Sequence, residues 1–168
     1  MDFFQLINER ASIRSYKDRA ISDEQLEKLL EASRSAPSAG NLQAYEILVV
    51  KDEEEKKELA QAAQDQNFVA QAPVVLVFLQ DRERSKSRYG ERGELYSLQD
   101  ATIAVAYMQL AAVEMNLGSC WVGAFDEDQV AQSLQLEKRP IALLPIGYPA
   151  NHPSKTSRRA LGDFVRYR

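Results

Sequence analysis

The run "APVVLVFLQ" at residues 72–80 constrains the fold of this chain more than any other segment. It is nearly continuous in apolar and β-branched residues, which is typical of a central strand buried on both faces. Further strands are predicted for "YEILVVK" at 45–51, "SCWVGAF" at 119–125 and "IALLPIGYP" at 141–149. We therefore expect one sheet with other layers packed against it.

The longest predicted helix runs from about Glu94 to Asn116, with Gly118 as a suitable C-terminal stop. One side carries Leu95, Leu98, Ala101, Val105 and Ala112, and another carries Ile103, Tyr107 and Leu110. A helix that is apolar nearly all round must be buried, either in the centre of the fold or against a partner.

Four shorter helices are predicted from capping residues followed by apolar residues at helical spacing. They follow Asp2, run from the Ser22–Gln25 capping box to about Arg34, run from Asp52 to about Gln64, and run from Asp126 to about Leu134. The charged stretch 81–93 is predicted as a surface loop. Helices and strands mix without strict alternation, which indicates an α+β fold rather than a doubly wound sheet.

Length and composition limit the possible functions. The 168 residues fit a single domain, 1–168, with a C-terminal arm from about 148. The net charge of −4 argues against nucleic acid, and no apolar run approaches the roughly 20 residues that span a bilayer. One cysteine, Cys120, and one histidine, His152, cannot build the common zinc sites, so we expect no metal. With no secretory signal and no possible internal disulfide, we expect a cytoplasmic location.

The segment "RASIRS" at 10–15 places Arg10, Ser12 and Arg14 at alternating positions. In an extended segment, side chains two residues apart project to the same face. Guanidinium groups bind phosphate through paired donors, and a serine hydroxyl adds another donor. The spacing therefore predicts an anion site. The alternative is that both arginines are ordinary surface residues paired with Glu9 and Asp18.

A second basic group lies near the C terminus, where "SKTSRRAL" contributes Lys155, Arg158 and Arg159. One phosphate held by arginines from both ends of the chain would explain both basic groups in an otherwise acidic protein. The alternative is a solvated basic tail.

The loop "APSAGNLQ" offers backbone amides and side-chain amides from Pro37, Ser38, Gly40, Asn41 and Gln43. Amide side chains suit a neutral heterocycle with alternating donors and acceptors. The alternative is a plain connection between a helix and a strand.

Gly123 lies within a predicted strand, which indicates a close approach to the backbone there. The sequence has no glycine-rich phosphate loop, no Gly-x-Ser-x-Gly elbow and no evident pair of catalytic acids. If the protein is an enzyme, its reactive centre is therefore expected to be a bound cofactor.

Five segments resemble, in their order and spacing, the nitroreductase family of FMN-dependent oxidoreductases. They are "ERASIRSY", "SAPSAGNLQAY", "QDATIAVAYMQLAAVEMNLGSCWVGAF", "LLPIGYP" and "SRRAL", which together cover nearly the whole chain. The chain is similar to a compact member without long insertions. The resemblance implies an α+β fold with a mixed central sheet wrapped by helices, and an intertwined homodimer with FMN at the subunit interface.

The resemblance also implies roles for individual residues. Arg10 and Ser12 would hold the FMN phosphate with Arg158 of the tail, beside which Arg159 is also assigned to the cofactor. Arg14 would lie nearer the ribityl chain and the N1–O2 edge. The remaining assignments are Pro37, Ser38 and Asn41 from the other subunit, Gln66 at the pyrimidine edge, and Gly123 with Val122 beside it, bringing a backbone amide near flavin N5.

The implied mechanism is ping-pong. NADH or NADPH gives a hydride to flavin N5, and a small-molecule acceptor, a nitroaromatic or a quinone, then takes the place of the nicotinamide. No side chain is assigned a catalytic role, because the flavin carries the chemistry. Two alternatives stay open: other flavin chemistry on the same fold, such as dehalogenation or flavin fragmentation, and a flavin-storing or flavin-sensing module without turnover.

Overall fold

A computed structural model describes residues 1–168 and shows one antiparallel sheet. Its strands are β1 (Tyr45–Val50), β2 (Val74–Gln80), β3 (Gly118–Ser119) and β4 (Arg139–Gly147), in the order β1-β2-β4-β3. Every residue of β2 is buried, which confirms the central strand. A parallel bridge from Ser12 to Ser119 adds the N-terminal segment beside β3. The α+β class is confirmed.

Seven α-helices surround the sheet. They are α1 (Phe3–Glu9), α2 (Asp23–Arg34), α3 (Glu53–Ala62), α4 (Phe68–Gln71), α5 (Arg82–Tyr89), α6 (Arg92–Glu114) and α7 (Glu127–Ser133). Short 3₁₀ turns span Ala39–Asn41 and Leu161–Asp163. The predicted N-cap at Asp2 and the predicted capping box at Ser22 both form, and Asp2 makes a capping box with Gln5 as well. No helix is long and apolar enough to cross a bilayer.

The sheet separates two apolar clusters. Val75 and Val77 of β2 face the first cluster, which includes Leu59 of α3. Leu76 and Phe78 face the second, which includes Met108 of α6. Because side chains alternate along a strand, one run of apolar residues supplies both clusters. Burying each large side chain contributes roughly 1.5–3 kcal/mol.

The prediction of a surface loop at 81–93 is wrong, because the stretch contains α5. Asp81 caps the helix by accepting a hydrogen bond from the Arg84 amide at 3.0 Å. The helix lies tightly against the start of α6, where a Cβ on Gly93 would come 2.5 Å from the Lys86 nitrogen. The helix has no apolar stripe, so its pattern gave no helical signal.

Two expectations around β3 are also wrong. The strand predicted for 119–125 is limited to Gly118–Ser119, followed by an isolated bridge from Val122 to Leu143. Gly118 does not stop the long helix, because Asn116 takes the left-handed conformation with φ 56°. Gly118 instead lies where a Cβ would come 2.5 Å from Ile13 Cγ1, so glycine permits the close approach of the N-terminal segment.

The two sides of α6 differ. Ala101, Val105 and Ala112 are buried as part of the face against the sheet. Leu95, predicted on that same side, is 46% exposed, and Tyr107 is 41% exposed. The apolar surface of α6 is therefore only partly covered within one chain.

Candidate functional site

Main-chain contacts fix the segment after α1. The amide of Ile13 donates to the Ser119 carbonyl at 3.0 Å, beside the Ser12 bridge. The hydroxyl of the buried Tyr16 lies 2.7 Å from the Ile13 carbonyl and 3.1 Å from that of Pro145. Burial raises the pKa of Tyr16, so its hydroxyl stays protonated and donates. The segment therefore lies in extended form against β3 and β4.

This extension brings Arg10, Ser12 and Arg14 to the same place, the surroundings of Cys120. The thiol is only 1% exposed, and burial raises its pKa. The positive charges of Arg14 and Arg10, and the polar groups of Ser12 and Arg14, lower that pKa in part. All three predicted side chains therefore lie near enough to Cys120 to influence its thiol, and we name them the cation cluster (Arg10, Ser12, Arg14).

The arginines of the cation cluster have no carboxylate partner. The alternative interpretation, in which Arg10 and Arg14 pair with Glu9 and Asp18, is wrong. The carboxylate of Glu9 lies 3.7 Å from Lys155 instead. The guanidinium of Arg14 lies over an aromatic ring, with its Cζ 6.0 Å from the centroid of Phe68. Two cations and a hydroxyl without an internal counter-charge form a donor set that suits an anion.

Gln66 lies two residues before Phe68, whose ring faces Arg14 of the cation cluster. Its Nε2 donates to the Ala63 carbonyl at 2.8 Å, and its Oε1 accepts no hydrogen bond from this chain. A tight turn at Gln64 and Asp65, with φ of 59° and 57°, places it there.

Val122 and Gly123 come directly after Cys120 and Trp121 in the chain, and Cys120 is the residue that the cation cluster surrounds. Val122 is 3% exposed, and it exchanges two backbone hydrogen bonds with Leu143, at 2.9 and 3.0 Å. Its own amide is therefore occupied. Gly123 is exposed, and its amide makes no backbone hydrogen bond. The hydrogen bonds of Val122 thus fix the backbone next to Gly123, and the Gly123 amide lies at the surface without a partner.

A buried carboxylate shapes the loop at 37–44. Asp100 of α6 is 2% exposed, and its oxygens accept from the Ala39 amide at 2.8 Å and the Ala44 amide at 3.3 Å. Burial raises the pKa of the nearby Tyr45, and the negative charge of Asp100 raises it further. Within the loop, the Ser38 hydroxyl accepts from the Gln43 amide at 3.0 Å. One side chain therefore holds both ends of the turn.

The same loop has an unusual backbone. Gly40, Asn41 and Gln43 all have positive φ, at 56°, 58° and 44°. Helix α5 covers it, because the guanidiniums of Arg84 and Arg88 donate to the carbonyls of Leu42 and Gly40. The interpretation of 37–43 as a plain connection does not explain why side chains of both α5 and α6 hydrogen-bond to the loop backbone.

The structure does not bring every predicted residue together. No hydrogen bond or ion pair joins the loop of Pro37, Ser38 and Asn41 to the cation cluster within one chain. Arg158 and Arg159 lie in an exposed tail, where Arg159 donates to the Asp163 carbonyl at 2.9 Å. The site therefore exists in this chain as two halves, with the tail arginines outside both.

Sequence reasoning missed Asp100, Phe68 and the structural role of Tyr16. Asp100 occupies an ordinary position in a helical pattern, and its amide partners are 61 and 56 residues away. No local signal marks such contacts. A polar residue on the buried face of a predicted helix was the one available clue.

Comparisons with known proteins identify the family of this chain. The model of the nitroreductase family matches residues 7–71 and 64–148. The chain is 33% identical over 168 residues to a Bacillus subtilis protein named FMN reductase (NAD(P)H), and the match covers 90% of this chain and 68% of that protein. It is 31% identical to a Thermus thermophilus protein named NADH dehydrogenase, with 95% and 92% covered.

A solved structure gives the same picture. The NADPH:FMN oxidoreductase from Vibrio harveyi, complexed with NAD⁺, superposes with a TM-score of 0.90 at 28% identity, covering 98% of this chain and 76% of that one. The chain belongs to the nitroreductase family, as its motifs predict, and is an oxidoreductase by that membership.

Proposed function

We propose that this protein is an FMN-dependent oxidoreductase that uses NAD(P)H. The observation that carries the proposal is the cation cluster without a counter-charge around Cys120, followed three residues later by the exposed amide of Gly123. The named relatives support the same cofactor and donor. When bound, FMN would supply the redox chemistry, a ping-pong transfer of a hydride from NAD(P)H through N5 to a nitroaromatic or quinone acceptor.

The cation cluster fits the phosphate end of that cofactor. Arg10 and Ser12 would hold the phosphate, since guanidinium and hydroxyl donors match its oxygens. Arg14, whose Cζ lies 6.0 Å from the ring centroid of Phe68, would neutralise negative charge further along the cofactor. Arg158 and Arg159 would join from the exposed tail.

The other residues would orient the ring. Gly123 presents an amide that no group in this chain uses, and Val122 holds it in place. The unpaired Oε1 of Gln66 would accept a hydrogen bond at the pyrimidine edge. None of these groups needs to transfer a proton, so the chain's task is to bind and orient.

The loop of Pro37, Ser38 and Asn41 would complete the site from a second subunit. We propose a homodimer in which each chain is one domain with an arm from about 148. Exposed apolar side chains support it, because patches of this kind mark interaction surfaces. They are Phe3, Phe4 and Ile7 of α1, Leu95 and Tyr107 of α6, and Leu161, Phe164 and Tyr167 of the tail.

A visible absorption spectrum of the purified protein, followed by anaerobic addition of NADH and NADPH, tests the function. We expect a flavin spectrum that bleaches with a donor and recovers with a quinone or a nitroaromatic. A protein that takes up no FMN would contradict the proposal. A flavin that binds but does not turn over would favour the storage or sensing alternative.

A charged substitution in the exposed side of α6 tests the dimer. Tyr107→Glu places a charge in the exposed apolar side of α6, so we expect a monomer that loses flavin, as measured by light scattering and absorbance. Glu114→Gln, at an exposed position near the end of the same helix, is the matched control. A monomer that keeps its flavin would contradict the shared site.

A further inference from the structure

Helix α5 and the start of α6 carry a group of cations that the proposed cofactor site does not use. Arg84, Arg88 and Arg92 are all exposed, and none of them pairs with a carboxylate. The other two cations of α5 do have partners: Arg82 lies 3.1 Å from Glu94, and Lys86 lies 3.4 Å from it. The unpaired charge is therefore concentrated in three residues.

Two tyrosines connect these arginines into one surface. The rings of Tyr89 and Tyr96 meet edge to face, with centroids 5.0 Å apart. Arg88 lies 5.6 Å over the first ring, and Arg92 lies 5.3 Å over the second. The Nε of Arg92 also donates to the Tyr96 hydroxyl at 2.9 Å. We name this set the arginine–tyrosine surface (Arg84, Arg88, Tyr89, Arg92, Tyr96).

The surface lies directly against the loop that would complete the cofactor site. Arg84 and Arg88 each donate to a loop carbonyl, and a Cβ on Gly40 would come 2.4 Å from the Tyr89 hydroxyl. A groove of about 710 Å³ continues from it, lined among others by Pro37, Ser38 and Tyr96. That volume is within the range of sites for small molecules.

We propose that the arginine–tyrosine surface binds the 2′-phosphate of the hydride donor, so that NADPH is preferred over NADH. This inference rests on the proposed function. Each guanidinium has five N–H donors and uses one within the chain, so donors are left for phosphate oxygens. The tyrosine rings lie within cation–π distance of Arg88 and Arg92, which favours keeping both guanidiniums at this surface. NADH carries a hydroxyl where NADPH carries this phosphate, so the contact with the 2′-phosphate would be made by NADPH only.

The test compares both donors in the holoenzyme. Arg84→Gln, Arg88→Gln and Arg92→Gln, singly and together, remove charge but keep a side chain that can donate to the loop carbonyls. We expect the ratio of kcat/KM for NADPH to that for NADH to fall about tenfold or more in the triple variant, and to fall also in Arg92→Gln, whose guanidinium donates to Tyr96 and not to the loop. Arg82→Gln, on the same helix but paired with Glu94, is the matched control and should preserve the donor ratio.

A binding measurement separates this inference from the proposed function. By calorimetry, adenosine 2′,5′-bisphosphate should bind the wild-type holoenzyme more tightly than AMP, and the triple variant should lose that difference. If neither donor reduces the flavin, the proposed function fails, and the calorimetry still decides the inference. Equal use of both donors by the wild type, or parallel loss of both in the triple variant, would overturn the phosphate assignment. An unchanged flavin spectrum and melting temperature show that each variant is folded.

Discussion

The two halves of the candidate site are held by different kinds of contact. The cation cluster lies on an extended segment that pairs with β3 through its main chain, and the buried hydroxyl of Tyr16 secures that segment. The loop at 37–44 has no strand partner and depends on side chains, chiefly Asp100 of α6 and Arg84 and Arg88 of α5. A backbone ladder tolerates most single substitutions, whereas a side-chain clamp fails with one residue.

Asp100→Ala should have the largest effect. It removes a charged acceptor from two amides, Ala39 and Ala44, which are then left without partners. We expect a loss of about 3 kcal/mol in the free energy of unfolding, because each hydrogen bond to a charged group is worth about 1.5 kcal/mol or more. Urea denaturation measures it. Asp126→Ala, at the exposed N-cap of α7, removes a comparable group and should cost only about 1 kcal/mol. Equal losses in the two variants would contradict the clamp.

Arg10→Ala should affect binding more than folding. It removes a charge-assisted contact to the cofactor phosphate, so FMN affinity should fall by roughly 1.5–3 kcal/mol. Fluorescence titration of the apoprotein with FMN measures the change. The control is Arg34→Ala, an exposed arginine paired with Glu31 at 2.6 Å. Unchanged affinity in the Arg10 variant would rule out the phosphate role.

Gly40→Ala should strain the loop and leave the cation cluster intact. Its φ of 56° costs an L-residue about 1–2 kcal/mol. The new Cβ would also meet the hydroxyl of Tyr89. We expect a lower melting temperature, while alkylation of the buried Cys120, which reports on the other half, stays as slow as in the wild type. Faster alkylation would show that the two halves are coupled.

Acid should weaken the loop half slightly. Burial raises the pKa of Asp81, but its bonds with the Arg84 amide and Lys138 outweigh that, and the folded-state pKa is lowered. The stabilisation is therefore complete above the unfolded-state pKa of about 3.9 and is lost as the pH falls through the lower folded-state value. Asp81→Asn should reduce the pH dependence of stability below about pH 4 by less than about 1 kcal/mol. A variant with the same acid unfolding curve as the wild type would contradict this.

The parts of the fold that local patterns describe were predictable. The buried strand at 74–80, the capping box at Ser22 and the alternating cation cluster all follow from spacing within a few residues. Local pattern failed for α5, whose stability comes from its Asp81 cap and from packing against Gly93. The predicted helix stop at Gly118 also failed. The left-handed residue is Asn116, and the sequence alone does not show that this asparagine has a positive φ.

The candidate site was predictable only in its composition. The sequence predicted an anion site at Arg10, Ser12 and Arg14, but not that these residues would surround Cys120 or that Asp100 would hold the loop. Contacts between residues some 60 positions apart leave no trace in periodicity. The assignment of Val122 illustrates the same limit, since its amide is occupied by Leu143, a strand away.

The separation of the two halves on one chain has a genetic consequence. In the proposed dimer, each pocket takes the cation cluster from one polypeptide and the loop from the other. Two colourless variants, one damaged at Arg10 and the other at Asn41, would therefore complement each other when co-expressed. Each mixed dimer would hold one pocket with both lesions and one with none, and the yellow colour would return with the heterodimer alone.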